Sequence, residues 1–248
     1  MSVTTTRRTI PALTASLLAL LLAAVLLPLS AAAPAGAAAC NTATGPYQRQ
    51  VEAHLKLPVD GRSSLSDCRA IQRWQGVFGI SPTGYAGPQT YAAVKRLQLW
   101  ATRTAQCGGH AAQGRAVCVD LTSQAMWLVE GGKRTWGPYL IRSGRDGYET
   151  RTTAGRGPEC RTASSRGPRN YCRVYWKDID HVSGQYGSPM PYSMFWDQGQ
   201  AFHISDRYLF EEPGSHGCVH VPARAIKVLW EKVPVGTMVF VYGRKPGT

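Results

Sequence analysis

The chain has 248 residues, and its 28 lysines and arginines against 15 acidic residues give a formal net charge of +13. This length is enough for two modest domains, and such a basic balance attracts polyanions. Nucleic acid is a common partner of basic proteins, but the sequence contains no aromatic-basic RNA motif, no zinc-finger spacing and no P-loop. We therefore expect no nucleic-acid partner, and simple solubility explains the charge as well as an anionic polymer does.

The first 39 residues have the layout of a secretory signal peptide. A basic start is followed by an uninterrupted apolar run over residues 17–27, and a tract of small residues ends at Ala39. The apolar run is shorter than the about 20 residues that span a membrane. We therefore predict a secreted, extracytoplasmic protein with no stable membrane span after cleavage. A retained N-terminal anchor and a lipoprotein modified at Cys40 stay open as alternatives.

Seven cysteines occur in the chain, and an odd number in an exported protein leaves one thiol unpaired. Close spacing across Gly-rich, polar sequence suits local disulfides. The spacing favours the pairs Cys40–Cys68, Cys107–Cys118 and Cys160–Cys172, with Cys218 left over. Connectivity does not follow from sequence alone, so this pairing is a hypothesis.

Residues 40–105 are predicted to form a small helical domain. The segment Asp67–Trp74 starts with a capping residue and spaces its apolar side chains by three, which is typical of a helix. Turn-forming residues fill 79–88, and a second helix is predicted over Gln89–Leu99. We assign residues 106–114 to a linker.

This stretch resembles the peptidoglycan-binding-like domain, a family of three-helix modules. The resemblance rests on three runs: Ile71-Gln72-Arg73-Trp74-Gln75, Gly84-Tyr85-Ala86-Gly87-Pro88-Gln89-Thr90 and Ala92-Ala93-Val94-Lys95-Arg96-Leu97-Gln98. The family joins helices that end in Leu-Gln and Phe-Gln through a Gly-x-x-Gly-Pro-x-Thr turn. The resemblance implies binding to the cell wall, and the alternative is a helical spacer without a ligand.

Residues 115–243 are predicted to form a mainly β domain, because short runs of strand-forming residues are separated by turn sequence. The predicted strands are 116–121, 125–129, 135–141, 200–204 and 237–242, with a helix over 223–232 and a Gly/Pro/Arg-rich loop over 156–172. Strands and long helices do not alternate, so a Rossmann-like sheet is not expected. The whole chain is therefore predicted to be an α+β protein with a helical N-terminal part.

The segment from Gly214 to His220 concentrates reactive side chains, with His216, Cys218 and His220 in five residues. A cysteine becomes a nucleophile when a nearby base or cation favours its thiolate. His203, in an apolar run, is the candidate base, and the small Gly217 leaves room for backbone N–H groups to face a developing oxyanion. The competing interpretations are a buried structural cysteine and a core histidine.

A zinc site is a second interpretation of the same residues. Histidine and cysteine ligate zinc, and residues two apart share one face of a strand. The candidate ligands are His203, His216, Cys218 and His220, with Glu211 or Glu212 as the carboxylate base that hydrolytic zinc usually needs. A Gly-Cys step after Ser-His is better explained by a nucleophile turn, so we expect no metal and no organic cofactor.

The β region resembles the L,D-transpeptidase catalytic domain, the YkuD family. That family carries a histidine, then a dozen or more residues, then Ser/Thr-His-Gly-Cys-x-Arg/Asn/His. Here the matching residues are His203 and Ser215-His216-Gly217-Cys218-Val219-His220, with further likeness over 117–132 and 188–196. The resemblance implies a β-sandwich-like domain with a lid over the cysteine.

By this resemblance Cys218 is the nucleophile and His203 accepts and donates the proton. The residues implied to shape the substrate site or hold the oxyanion are Ser215, His216, Gly217, His220 and Tyr192. The chain departs from the family at Ile204, where glycine is usual, and at His220, where arginine or asparagine is more frequent. These departures bear on substrate preference more than on the reaction.

The resemblance implies an exported cell-wall enzyme that acts on peptidoglycan stem peptides. Cys218 would form a thioester with a stem tetrapeptide, and an amine of a neighbouring stem would resolve it into a 3→3 cross-link. Water as acceptor would make the protein an L,D-carboxypeptidase, and carbapenem-type β-lactams are the expected inhibitors. A zinc-dependent wall peptidase and a wall-binding protein with an inactive catalytic domain are the alternatives from other classes.

Overall fold

The computed structural model describes residues 39–103, 107, 114–153, 160–161, 171–211 and 213–248. The predicted signal peptide therefore lies outside the described residues except for Ala39, and most of the predicted linker 106–114 and loop 156–172 lies outside them as well. The chain from Ala38 to Thr248 forms one compact unit. Within the described residues, no helix is both long enough and apolar enough to cross a membrane.

Three helices open the described part of the chain: α1 Gln48–Leu55, α2 Leu65–Val77 and α3 Pro88–Ala101. The N-cap of α2 is Ser64, whose side chain accepts from the Asp67 N–H at 3.2 Å while the Asp67 carboxylate accepts from the Ser64 N–H at 3.0 Å. This capping box satisfies two backbone donors, so Asp67 is the third helical residue and not the cap that the sequence predicted. Pro88 opens α3 at the first helical position, where its missing N–H costs nothing.

A buried glutamine builds the turn between α2 and α3. The Gln75 amide nitrogen lies 2.9 Å from Thr90 Oγ1, and its oxygen accepts from the Gly84 N–H at 2.8 Å. The Thr90 hydroxyl in turn donates to the Tyr85 carbonyl at 2.8 Å. These residues belong to the runs that resemble the wall-binding family, and here they satisfy one another in the interior of the turn.

The described strands form a six-stranded sheet and a four-stranded sheet. The larger sheet has the order β3-β2-β1-β10-β5-β4 and the smaller has the order β6-β7-β8-β9. The strands are β1 Arg115–Asp120, β2 Ala125–Glu130, β3 Lys133–Leu140, β4 Cys160–Arg161, β5 Tyr171–Arg173, β6 Trp176–Val182, β7 Pro189–Asp197, β8 Gln200–His203, β9 Val219–His220 and β10 Met238–Tyr242. Helices lie before this β region and at α4, Ala223–Lys232, so the predicted α+β class is confirmed.

The main hydrophobic core lies between the two sheets and α4. Its fully buried members come from both sheets and from the helix: Val117, Val119, Met126, Leu128, Met194, Trp196, Phe202, Ile226 and Leu229. Successive side chains of β1 point to opposite faces, so Val117 and Val119 enter this core while the buried Cys118 packs on the other face of the sheet. The core thereby holds β8 and β9, the two short strands that carry His203 and His220.

A second apolar cluster joins the helices to the outer face of the six-stranded sheet. Trp100 of α3 lies edge-on to Trp127 of β2, with 5.7 Å between ring centroids. Just beyond α3, Arg103 Nε donates to the fully buried Asp120 carboxylate at 2.7 Å. A disulfide between Cys107 and Cys118 ties the same region to β1. The helical part is thus fixed to the sheet by packing, charge and a covalent bond.

Two of the predicted disulfides, Cys40–Cys68 and Cys107–Cys118, are confirmed. Cys172 is disulfide-bonded and lies opposite Cys160 in the register of β4 and β5, while the side chain of Cys160 is outside the described part. Among the cysteines whose side chains are described, Cys218 carries the free thiol.

Candidate active site

A cavity of about 670 Å³ lies along the short strands β8 and β9. Its walls are the turn before β9, the segment that follows β8, and the β6–β7 hairpin. Cys218, His203, His216, Ser215 and His220 all line it, so the structure brings these five predicted residues together.

Cys218 lies immediately before β9, partly buried, with its Sγ 3.8 Å from the Gly199 carbonyl oxygen. Burial raises the pKa of the thiol, and a hydrogen bond from the Ala201 backbone works in the opposite direction. The resting thiol therefore keeps its proton at neutral pH. A nucleophilic role for Cys218 requires a neighbouring base that removes this proton during attack.

His203 is the last residue of β8, and the parallel pairing of β8 with β9 sets it directly beside His220. Its Nδ1 lies 2.6 Å from the Ile204 carbonyl oxygen, which can only accept, so Nδ1 carries the proton and Nε2 has a free lone pair. Only 6 % of the residue is exposed. Burial lowers the pKa of His203 to about 4, the Ile204 carbonyl opposes this, and the charge of Arg142, with that of His181 when its ring is protonated, lowers it further. His203 is therefore a neutral base at physiological pH.

The turn that presents Cys218 is held by its own side chains and by two neighbouring segments. The Ser215 hydroxyl donates to the Cys218 carbonyl and accepts from the Gly217 N–H at 3.1 Å. The Gly217 carbonyl accepts from Thr150 Oγ1 at 2.8 Å. Gly217 has φ +112°, and a Cβ there would lie 2.5 Å from the Gln200 amide nitrogen, so the turn requires glycine. Because its N–H is used inside the turn, Gly217 does not offer that group to an oxyanion.

His216 forms part of the mouth of the cavity and is exposed to solvent. Arg145 Nη2 donates to its Nε2 at 2.7 Å, which leaves the neutral tautomer with its proton on Nδ1. Its ring stacks on Tyr186 at 4.3 Å between centroids and meets the edge of Tyr148 at 4.7 Å. Tyr186 lies at the tip of the β6–β7 hairpin, so this stacking joins the hairpin to the turn that carries Cys218.

His220 is held by a buried arginine that the sequence interpretation missed. Nε and Nη2 of Arg142 donate to His220 Nδ1 at 3.0 and 2.7 Å, and the backbones of the two residues exchange hydrogen bonds. Burial lowers the pKa of His220 to about 2, with further contributions from His203, Arg142 and Arg207. The ring therefore stays neutral and lies edge-on to His203, with 4.6 Å between centroids.

Arg142 also holds the segment that follows β8. We call residues 205–211 the rim loop, because Ser205, Asp206 and Arg207 line the cavity. Arg142, only 4 % exposed, donates from Nη1 to the Glu211 carbonyl at 2.7 Å and from Nη2 to Ser205 Oγ at 3.2 Å. The arginine thus connects the rim loop with His220 and, through its charge, with the base.

Tyr192, a predicted substrate residue, lies apart from these groups. Its backbone has φ +60°, and its ring packs edge-on against Trp230 of α4 at 5.6 Å, next to the main core. Met190 and Phe195 of the same strand line the cavity, whereas Tyr192 is not among its described lining residues. Of the segment 188–196, the side chains at its ends rather than at its centre therefore reach the site.

Sequence interpretation also missed Gln200, His181 and Tyr186, which line the cavity. The Gln200 carboxamide accepts from the Arg151 N–H at 3.0 Å and donates to the Glu149 carbonyl at 3.1 Å, so it orders the segment next to Gly217. The position of Gln200, three residues before the predicted base, was the available signal. His181 and Tyr186 had no local signal, because a hairpin brings them to the site.

The zinc interpretation has no support in the geometry. In the described part of the chain, no three His, Cys, Asp or Glu side chains are grouped so that they could hold a metal ion. The guanidinium of Arg142 occupies Nδ1 of His220, and His216 turns to Arg145 and Tyr186. Glu212, one candidate base, lies outside the described residues, and the neighbouring Glu211 contributes its backbone carbonyl to Arg142.

Several solved structures of L,D-transpeptidases are similar to this chain. A crystal structure of an L,D-transpeptidase from Stackebrandtia nassauensis is 33% identical, covers 84% of this chain and 96% of its own, and superposes with a TM-score of 0.70. A mutant L,D-transpeptidase of Enterococcus faecium is 29% identical over 52% of this chain and 50% of its own, with a TM-score of 0.41. The Ldtfm–avibactam carbamoyl enzyme is 31% identical over 52% of this chain and 48% of its own, with a TM-score of 0.40.

A search of curated proteins gives no match to the chain. The sequence profile of the L,D-transpeptidase catalytic domain, YkuD, matches residues 114–241, which include the whole cavity-bearing β region up to the penultimate residue of β10. Together with the Stackebrandtia likeness over most of both chains, this match shows that the protein belongs to the YkuD family of L,D-transpeptidase catalytic domains.

Proposed function

We propose that the protein is an exported L,D-transpeptidase that forms 3→3 cross-links in peptidoglycan through a thioester on Cys218. The observation that carries the proposal is the pairing, in one cavity, of a free thiol with a buried histidine whose Nδ1 is tied to a backbone carbonyl. A base with a fixed tautomer and a free Nε2 is what a protonated cysteine needs for attack on a carbonyl.

The reaction would proceed in two halves. His203 Nε2 takes the thiol proton as Sγ attacks the carbonyl of the third stem residue, and the same proton then goes to the amine of the leaving D-alanine. The thioester is resolved when an amine of a neighbouring stem attacks it. Transfer to water instead of an amine would give L,D-carboxypeptidase activity from the same intermediate.

The charges around the cavity support an acidic peptide substrate. The described charged residues that line it are one carboxylate, Asp206, and four arginines, of which Arg151 is paired with the buried Asp197 while Arg142, Arg145 and Arg207 leave an excess of positive charge. Stem peptides carry free carboxylates, and a cleft with one sign of charge concentrates ligands of the other. The same cationic cleft suits the carboxylate of a carbapenem, the expected inhibitor class.

The helices are proposed to bind the wall and to raise the local concentration of stems. Support comes from their resemblance to peptidoglycan-binding-like modules. Co-sedimentation of the whole protein and its Cys218→Ala variant with purified sacculi tests this, and we expect both to pellet. Loss of binding in the presence of a short stem peptide would instead locate the affinity in the catalytic cavity.

Intact-mass measurement after carbapenem treatment tests the thioester chemistry. We expect one adduct on the wild type, none on Cys218→Ala, and an unchanged adduct in the presence of EDTA. No adduct on the wild type, or an adduct that persists in Cys218→Ala, would contradict the proposal. A muropeptide assay then separates cross-linked dimers, the product of transfer to an amine, from tripeptides, the product of hydrolysis.

A further inference from the structure

The β6–β7 hairpin brings a second histidine–carboxylate pair to the catalytic cavity. His181 Nδ1 lies 3.0 Å from Asp178 Oδ2, and the side chains are 19% and 33% exposed. The His181 ring is further fixed edge-on to Phe195 at 4.9 Å and to Trp176 at 5.1 Å between centroids. It lines the same cavity as Cys218 and His203, so a substrate bound there has access to all three side chains.

The pair has the parts of a general base. The Asp178 carboxylate can only accept, so it favours the tautomer with the proton on Nδ1 and leaves Nε2 of His181 as the acceptor. Edge-on contact with the stacked rings of Trp176 and Phe195 limits rotation of the His181 ring, which preserves that orientation. A carboxylate that orients an imidazole also stabilises the imidazolium that forms when the ring takes a proton.

The transfer half of the reaction needs a proton acceptor that His203 is poorly placed to supply alone. At pH 7 an aliphatic amine is almost fully protonated, and roughly one molecule in a thousand has the free lone pair needed for attack. His203 is deeply buried beside His220, and in the transfer half it must pass one proton of the acceptor nitrogen to the departing thiolate, so the proton that the ammonium loses before attack needs a second base. His181 is more exposed than His203 and lies on the hairpin wall of the cavity, where an acceptor amine from solvent can reach it.

We propose that the His181–Asp178 pair is the base that activates the acceptor amine. This rests on the proposed thioester mechanism and assigns a second catalytic residue to its transfer half. The acceptor ammonium gives one proton to His181 Nε2, and its freed lone pair forms the C–N bond at the thioester carbonyl. The C–S bond breaks with its electron pair on Sγ, the second nitrogen proton passes to that thiolate through His203, and His181 releases its proton to solvent.

The test compares the two halves of the reaction in His181→Gln and Asp178→Asn. Acylation is followed by intact mass with a carbapenem, and transfer by the ratio of dimer to tripeptide formed from a disaccharide tetrapeptide that bears a free side-chain amine. For His181→Gln we expect acylation within about twofold of wild type and a dimer-to-tripeptide ratio reduced roughly ten- to hundredfold, the range for loss of a general base. Asp178→Asn is expected to show the same pattern more weakly.

Asp180→Asn is the matched control, because it removes the same charge from the same strand at an exposed position. It is expected to leave both measurements unchanged. Raising the pH to 9 frees more of the amine, so the deficit of His181→Gln in dimer formation is expected to narrow there. An unchanged product ratio, or an equal loss of acylation and transfer, would overturn the role of His181. Failure of the wild type to acylate would instead contradict the thioester mechanism itself.

Discussion

The neutral state of His203 is a property of its burial and has a measurable consequence for stability. The histidine in an unfolded chain has a pKa near 6.5, whereas the folded value is about 4. Between these values the unfolded state binds more protons, so acid favours unfolding. The stabilisation is complete above pH 6.5 and is lost as the pH falls towards 4, a change of about 3 kcal/mol.

We expect His203→Gln to flatten this dependence. Urea unfolding at pH 7 and pH 4.5 measures it, and the difference between the two free energies of unfolding is predicted to be smaller in the variant than in the wild type. His216→Gln is the comparison: burial and the charge of Arg145 lower the pKa of His216 as well, but at an exposed position, so the pH dependence is expected to change less than in His203→Gln. Equal pH dependence in wild type and His203→Gln would show that the base is not buried as the structure describes.

The positive charge of Arg142 lowers the pKa values of both His203 and His220. The buried guanidinium of Arg142 donates to His220, to the Glu211 carbonyl and to Ser205 through partly buried hydrogen bonds. In Arg142→Gln these acceptors lose a charged donor, and we expect a loss of about 3 kcal/mol in the free energy of unfolding. Removal of its charge also raises the pKa of His203, so the acid limb of the acylation rate moves to higher pH.

The pH profile of carbapenem acylation checks this, with Arg224→Gln on the exposed face of α4 as a control for loss of one positive charge. An acid limb that stays in place in Arg142→Gln would mean that the arginine has only a structural role.

Sequence could not have identified Arg142, because a buried arginine is recognisable only from its partners. His203 and Cys218 were predictable, because their chemistry is concentrated in a short motif.

Among the helices and strands, those with apolar runs that pack against the core were predictable. The β6–β7 hairpin, which forms a wall of the cavity, was not. The strand over 125–129 and the helix over 223–232 match β2 and α4 because each buries a continuous or periodic apolar face. The β6–β7 hairpin was missed: β6 is mostly exposed, and two prolines interrupt the start of β7. The hairpin forms because β7 also pairs with β8. This pairing supplies backbone hydrogen bonds that the local sequence does not predict.

The rim loop links the helical part to the active site. The Leu209 N–H donates to the Gly79 carbonyl at 3.0 Å, Leu209 is buried in the second apolar cluster, and the Arg96 guanidinium lies 4.4 Å from the centre of the Phe210 ring. The ends of the same loop supply Ser205 and Glu211 to Arg142. The position of the rim loop thus depends on contacts with α2 and α3.

We therefore expect Leu209→Ala to slow carbapenem acylation although Leu209 is not among the described residues that line the cavity. The cavity left by the leucine costs about 2–4 kcal/mol of stability, and the loosened loop holds Arg142 less firmly. Acylation rates at a temperature where both proteins are folded by circular dichroism provide the measurement. Leu99→Ala, at an exposed position of α3, is the control. A wild-type acylation rate in Leu209→Ala would show that the contacts between the helices and the rim loop do not affect the reaction.

In the whole molecule, the helical and β regions pack directly against each other, although the sequence predicts a boundary between them. The sequence favoured a linker over 106–114, because glycine and polar residues cluster there. The composition of a segment indicates where the chain can turn. It does not indicate whether the elements on either side of the segment pack against each other. The Trp100–Trp127 contact and the Arg103–Asp120 ion pair arise between residues far apart in the chain, so no local pattern could predict them.

A shared core predicts that the helices and sheets unfold together. If the second apolar cluster couples them, one calorimetric transition is expected, and helical ellipticity and tryptophan fluorescence will change at the same temperature. Trp100→Ala removes the α3 ring that packs against Trp127 of the sheet, at a cost of about 3–5 kcal/mol, and Arg103→Met leaves the buried Asp120 carboxylate without its cation. In either variant, helical ellipticity is expected to be lost at a lower temperature than the temperature at which tryptophan fluorescence changes. Two transitions in the wild type would show that the interface is weaker than its burial indicates, and the effect of Leu209→Ala on acylation would then have to arise within the β region alone.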